Sequence, residues 1–124
     1  MTDVLDQPSV ALLVRSQPYQ RRSARAELDV ALAALVMEYR VEVYFIGPAI
    51  LQLVTGRNPE PALLASAYRA WGSLPDLGEF AVFAEPHWLE RLEKSGGRLL
   101  MPVEAMATEQ MRCNWRLCDH SMVL

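Results

Sequence analysis

The sequence predicts an α/β fold, a three-layer α/β/α sandwich around a five-stranded parallel sheet with a flavodoxin-like appearance. Three observations predict it. The continuous apolar run Val10–Val14 suits a strand covered on both faces, and Val41–Ile46, VEVYFI, is a second strand by residue type. Leu28, Ala31, Leu32, Leu35 and Val36 recur at helical spacing and make one apolar stripe. The two patterns alternate along the chain, which implies parallel strands joined by right-handed crossovers, with the loops at their carboxyl ends as the natural site.

Taken in order, Val10–Val14 is the first strand, and polar Arg15, Ser16 and Gln17 end it. Ser23 is the expected cap of the helix that follows. Val41–Ile46 is the second strand, stopped by Gly47-Pro48. The apolar segment Ala49–Val54 reads either as intramolecular packing or as a docking segment for a neighbouring chain. Asn58 before Pro59 predicts a helix running to Leu74, with Leu63, Leu64, Ala67, Tyr68 and Trp71 on its buried face. Ala81–Ala84 is the third strand. Pro86 starts a helix through Leu89 and Leu92 that Gly96-Gly97 closes. Leu99–Met101 is the expected fourth strand, Glu104–Leu117 a helix by propensity, and Ser121–Leu124 the last strand.

A chain of 124 residues fits one core. Residues 1–9 read as an N-terminal tail and 10–124 as a single domain. A hydrophobic fraction of 52% beside 22% charged residues implies more apolar surface than one small core buries, and association between subunits would absorb it. A net charge of −3 argues against direct nucleic-acid binding, which needs basic patches. No segment approaches the roughly 20 apolar residues of a membrane span. Asp3, Asp6, Gln7 and Pro8 interrupt the start where a signal peptide needs a basic and then an apolar run, so the expected location is the cytoplasm. Cys113 and Cys118 are too few and too close to form a disulfide framework, and their expected state is reduced.

Cys118 is the candidate reactive residue. It stands beside Asp119 and His120, and a neighbouring histidine lowers a thiol pKa. The alternative is a small hydrophobe at a helix end, where the dipole raises that pKa. Cys113 lies about 140° further round a helix, so the two thiols would not share a face. The set lacks the paired spacing of zinc sites, and no metal is expected. Glu85 and His87 flank Pro86 at a helix start and read as a base in a cleft or as surface residues. Arg15, Arg21, Arg22 and Arg25 cluster at the first loop, facing an acidic partner or merely solvated; without a glycine-rich cradle, no nucleotide or other cofactor is expected. Arg15, Ser16, Tyr19 and Arg25, with Gly47, Glu85, His87 and His120, make up the expected cleft.

The stretch VALLVRSQPYQRRSARAELDVALAA (10–34), with its helix pattern Ala24-Arg25-x-x-Leu28-Asp29-x-x-Leu32-Ala33, resembles the DsrE/DsrF/TusC group of sulfur-relay proteins. The likeness continues through Val43-x-Phe45-Ile46, Gln52-Leu53, Gly56, Pro59, Tyr68, Val82 and Leu89 to the apolar strand after Leu117, and so covers Val10 to Leu124. The Pro18 turn, the Arg25…Leu28-Asp29 helix and the Phe45-Ile46 strand end together look most like the DsrF/TusC branch. The resemblance implies a subunit of a small cytosolic assembly that passes persulfide sulfur, in tRNA thiolation or sulfur oxidation. Its implied partners are related DsrE-like and DsrH-like chains, or further copies of itself, and a sulfur-carrier acceptor protein. In the catalytic branch a cysteine lies near the end of the third strand, whereas this chain reads Val82-Phe83-Ala84-Glu85-Pro86 there. That departure favours a supporting subunit. The alternatives are a sulfurtransferase that accepts sulfane sulfur on Cys118, and a flavodoxin-like small-molecule binder.

Overall fold

The computed structural model describes residues 7–15, 21–55, 72–99 and 101–123, with the backbone alone at 21–27, 51–52 and 54–55. Its strands are β1 (Ser9–Val14), β2 (Arg40–Phe45), β3 (Val54–Thr55), β4 (Phe80–Ala84), β5 (Arg98–Leu99), β6 (Glu104–Ala105) and β7 (His120–Val123). Its helices are α1 (Arg21–Val36), α2 (Pro86–Lys94) and α3 (Thr108–Leu117). Five strands form one sheet in the order β6-β4-β2-β1-β7, every neighbouring pair parallel. The expected α/β sandwich is the observed fold.

The central strands are apolar on both faces because both faces are covered. Leu12 of β1 lies beside Val43 of β2 and Met122 of β7, and Val43 in turn beside Val82 of β4. Alternate residues point to opposite layers. Leu12, Val14, Val43 and Phe45 pack under α1, under a 3-10 helix at Gly47–Leu53 and under α2. Ala11, Leu13, Tyr44 and Phe83 face the other way, toward Met111 and Trp115 of α3. Tyr44 stacks on Phe83 with centroids 5.0 Å apart, and Trp115 meets Tyr44 edge-on at 6.0 Å.

Three expectations are corrected. Of the segment expected as the fourth strand, Leu99–Met101, the described residues Leu99 and Met101 are not in the five-stranded sheet. Arg98–Leu99 instead pairs antiparallel with Val54–Thr55 as a separate ribbon, and Met101 is buried in the α1-side core. The sheet strand at this edge is Glu104–Ala105, inside the stretch read as helix. Pro102 has no N–H to give a ladder, so pairing resumes only beyond it, and α3 begins at Thr108. Ser23 lies within α1, which starts at Arg21, rather than at its cap. The helix read over 58–74 lies outside the described residues as far as Trp71; Leu74–Leu77 form a 3-10 turn. The apolar segment after β2 is the 3-10 helix, with Ala49, Ile50 and Leu53 fully buried, so it packs within its own chain.

Candidate functional site

At the carboxyl end of the sheet, β2 leaves through Gly47, whose φ of +62° is the left-handed conformation that glycine adopts without strain. The Gly47 N–H donates to Glu85 Oε1 at 2.7 Å, and Thr108 Oγ1 donates to Glu85 Oε2 at 2.6 Å. One half-buried carboxylate therefore joins the exit of β2, the exit of β4 and the start of α3. These lengths are those of charge-assisted hydrogen bonds. His87, two residues on, is exposed and lies edge-on to Trp88 at 6.1 Å, while the Arg91 guanidinium sits 5.0 Å above the Trp88 ring. Arg15 is exposed just after β1. Ser16, Tyr19 and the side chains of Arg21, Arg22 and Arg25 lie outside the described residues.

The thiol lies elsewhere. Cys118 follows α3 at the end opposite Thr108, and ten residues of helix separate the two by about 15 Å. Its Sγ donates to Glu42 Oε2 at 2.6 Å. Burial, then the hydrogen bond to Glu42 and its negative charge, push the Cys118 pKa up to about 11. The group is a protonated thiol at neutral pH. His120 does not activate it: Cys118 packs in the α3-side layer, whereas His120 lines a groove on the α1 side, where its ring meets Tyr39 edge-on at 6.1 Å. Cys113 is free and exposed on α3. Among the described residues no cluster of three or more His, Cys, Asp or Glu could hold a metal ion.

Asp119 ties the start of β7 to β1. Its Oδ2 accepts from Ser9 N at 2.7 Å and from Ser9 Oγ at 3.3 Å, and its own N–H donates back to Ser9 Oγ at 3.1 Å. The Ser9 N–H bond holds the Asp119 carboxyl below its ordinary pKa. Tyr44, between the two ends of the sheet, carries a buried hydroxyl that makes no well-formed hydrogen bond among the described residues, with Glu42 and Asn114 as its polar neighbours. Burial and the Glu42 carboxylate raise its pKa. Sequence reasoning did not single out Glu42, Ser9 or Thr108. A charged residue breaking the apolar run Val41–Ile46 was the available signal for Glu42; the other two carried none, since their roles depend on which strands become neighbours.

The profile of the DsrE/DsrF-like family matches residues 9–84, from the first residue of β1 to the last of β4. The chain belongs to that family. A TusC homolog of Aliivibrio fischeri is 25% identical over 116 residues, which are 92% of this chain and 97% of the homolog. The crystal structure of the YchN protein from E. coli superposes with a TM-score of 0.73 over 95% of this chain and all of that one; at 16% identity, the likeness is one of fold. No helix among the described residues is long and apolar enough to cross a membrane.

Proposed function

We propose that this chain is a supporting subunit of a cytosolic sulfur-relay assembly, one that shapes an interface for a partner's sulfur-bearing cysteine and carries no sulfur itself. The observation that carries the reading is Glu85. It stands after β4, where the resemblance implies the sulfur-carrying cysteine of the catalytic branch, and both its oxygens are engaged in joining three elements. A carboxylate there opposes a thiolate or persulfide. The protonated state of Cys118 supports the same reading, because the thiolate is the nucleophile in sulfur transfer.

The molecule also has surface suited to association. β7 is the last strand of the sheet among the described residues, so one of its edges has no partner strand among them, and all four of its side chains are exposed. Met122 and Val123 there, Leu117 on α3, Val36 at the end of α1 and Met37 just beyond it leave large apolar side chains in solvent. Partners of the DsrE-like and DsrH-like kind, or further copies of this chain, would cover such a surface.

Intact mass after incubation with a persulfide donor tests the proposal, with the native protein compared against Cys113→Ser and Cys118→Ser. No stable gain of sulfur is expected on this chain, together with co-purification of related small chains or a native mass that is a multiple of the monomer. A reducible gain of one sulfur atom that disappears only in Cys118→Ser would replace this reading with a sulfurtransferase acting through Cys118.

A further inference from the structure

The amino end of the sheet, opposite Glu85, holds a pocket of about 520 Å³ that the sulfur-relay reading does not use. It lies where three entries to the sheet meet: Pro8 leads into β1, Glu38 and Tyr39 join α1 to β2, and Glu79 leads into β4. Backbone bonds fix this junction, Arg40 N donating to Pro8 O and Val41 N to Glu79 O, each at 2.9 Å. Buried Leu35 and exposed Met37 and Leu77 give the pocket apolar walls. Its charged lining is Glu38 and Glu79, and no basic residue lines it. Both the size and the mixture suit a small-molecule site, where apolar walls surround a few polar groups.

Two features of the lining point to the ligand's charge. Gln7 donates from Nε2 to the Glu38 carbonyl at 2.8 Å, which sets the amide's orientation, and its Oε1 is buried with no hydrogen-bond partner among the described residues. A buried acceptor in that state is uncommon, and what it lacks is a donor. Glu38 departs from the usual chemistry of helix ends in two ways. Its N–H donates to Leu35 O and the Tyr39 N–H donates to Ala34 O, both at 3.0 Å, so Glu38 closes α1 at the left-handed position, φ +64°, that glycine normally fills. Its carboxylate also stands at the carboxyl end of a helix, where the dipole favours a cation. One cationic donor would answer the helix end, both carboxylates and the amide oxygen together.

We propose that this pocket binds a small organic cation, an ammonium or guanidinium group on an aliphatic stem. The head lies between Glu38, Glu79 and Gln7 Oε1, and the stem lies against Leu35, Met37 and Leu77. A metal ion is the poorer occupant, since among the described residues no third His, Cys, Asp or Glu completes a cage. The pocket shares no residue with the Glu85 junction or the Cys118–Glu42 pair, so it stands or falls apart from the sulfur-relay reading.

Butylguanidinium chloride is the probe, titrated into isotope-labelled protein at constant ionic strength, with butanol and calcium chloride as controls. Amide resonances of Gln7, Glu38 and Glu79 should shift most and saturate, and neither control should reproduce the pattern. Gln7→Leu and Glu79→Gln should each weaken binding roughly threefold to fivefold, the effect of one hydrogen bond or one exposed ion pair. Glu38→Gly should weaken it by a similar factor while leaving Tm equal or higher, because glycine takes the left-handed conformation without strain. Absence of saturable shifts would overturn the proposal, as would the same pattern with butanol or calcium, or undiminished affinity in Glu38→Gly and Glu79→Gln. A capped alanine-arginine-alanine peptide that binds tenfold more tightly than butylguanidinium would overturn the free ligand in favour of a partner protein's arginine.

Discussion

Replacing Glu42 by Gln should make Cys118 more reactive, although the change removes a charge from a residue that performs no chemistry. In the native chain Glu42 accepts the thiol proton's hydrogen bond at 2.6 Å, and burial together with that carboxylate lifts the thiol from an ordinary 9.0 to about 11. Two pKa units are about a hundredfold in thiolate fraction at pH 8. A thiolate of lower pKa is also a weaker nucleophile, which reduces the net gain from abolishing the whole shift to about tenfold. Burial is the largest cause of the shift and survives the substitution, so Glu42→Gln should speed alkylation roughly threefold. The assay is iodoacetamide modification followed by intact mass, in a Cys113→Ser background, with the rate recorded from pH 7 to 11. The midpoint of that profile should move down in Glu42→Gln. An unchanged rate and midpoint would refute the electrostatic reasoning. A slower rate would show Glu42 acting as a base for Cys118 and would favour the sulfur-accepting reading.

Three further outcomes follow from the same geometry. Because the folded-state pKa of Cys118 is raised, its contribution to stability is intact below about pH 9 and is lost as pH climbs toward 11; urea unfolding across that window should show the decline in native protein and a smaller one in Cys118→Ser. Asp119 has the opposite sign: its folded-state pKa is lowered, so its contribution is present above the ordinary carboxylate range and lost as acid takes the pH through the lowered value, and a Tm-against-pH profile should lose that component in Asp119→Asn. Tyr44→Phe removes a buried hydroxyl that has Glu42 and Asn114 as polar neighbours but makes no well-formed hydrogen bond among the described residues, so equilibrium unfolding should find it within about 1 kcal/mol of the native chain; a larger loss would refute this.

The unbroken apolar run made β1 legible, because a strand covered on both faces needs hydrophobicity at every position, while β2, interrupted by Glu42, and the short β4 were legible from their strand-forming residue types. The stop signals at Gly47-Pro48 and Gly96-Gly97 were legible for the same local reason, and Gly96 takes the left-handed conformation that ends α2. The β5 and β6 strands were not. Each is two residues long, and Glu104–Ala105 is exposed, so its membership of the sheet comes from its neighbour Phe83–Ala84 rather than from its own composition. The site divides in the same way. Glu85 could be singled out because a charge at the end of an apolar strand is conspicuous, whereas its bond to Thr108 spans 23 residues and depends on tertiary structure. His120 and Cys118 are two positions apart in sequence, yet their side chains face opposite layers. Nearness along the chain was the wrong measure there.

The two layers have unequal depth: among the described residues, the core under α1 and α2 holds seventeen buried side chains and that under α3 five. The molecule is accordingly lopsided in its cooperativity. The α3 layer can come away as a partial unfolding unit at a fraction of the global free energy, leaving β1 and β2 still paired and still covered on their other face. Amides of α3 should then exchange with solvent well ahead of those in the two central strands, and Trp115, lifted off Tyr44, would report the event as a red shift in fluorescence before the rest of the chain lets go.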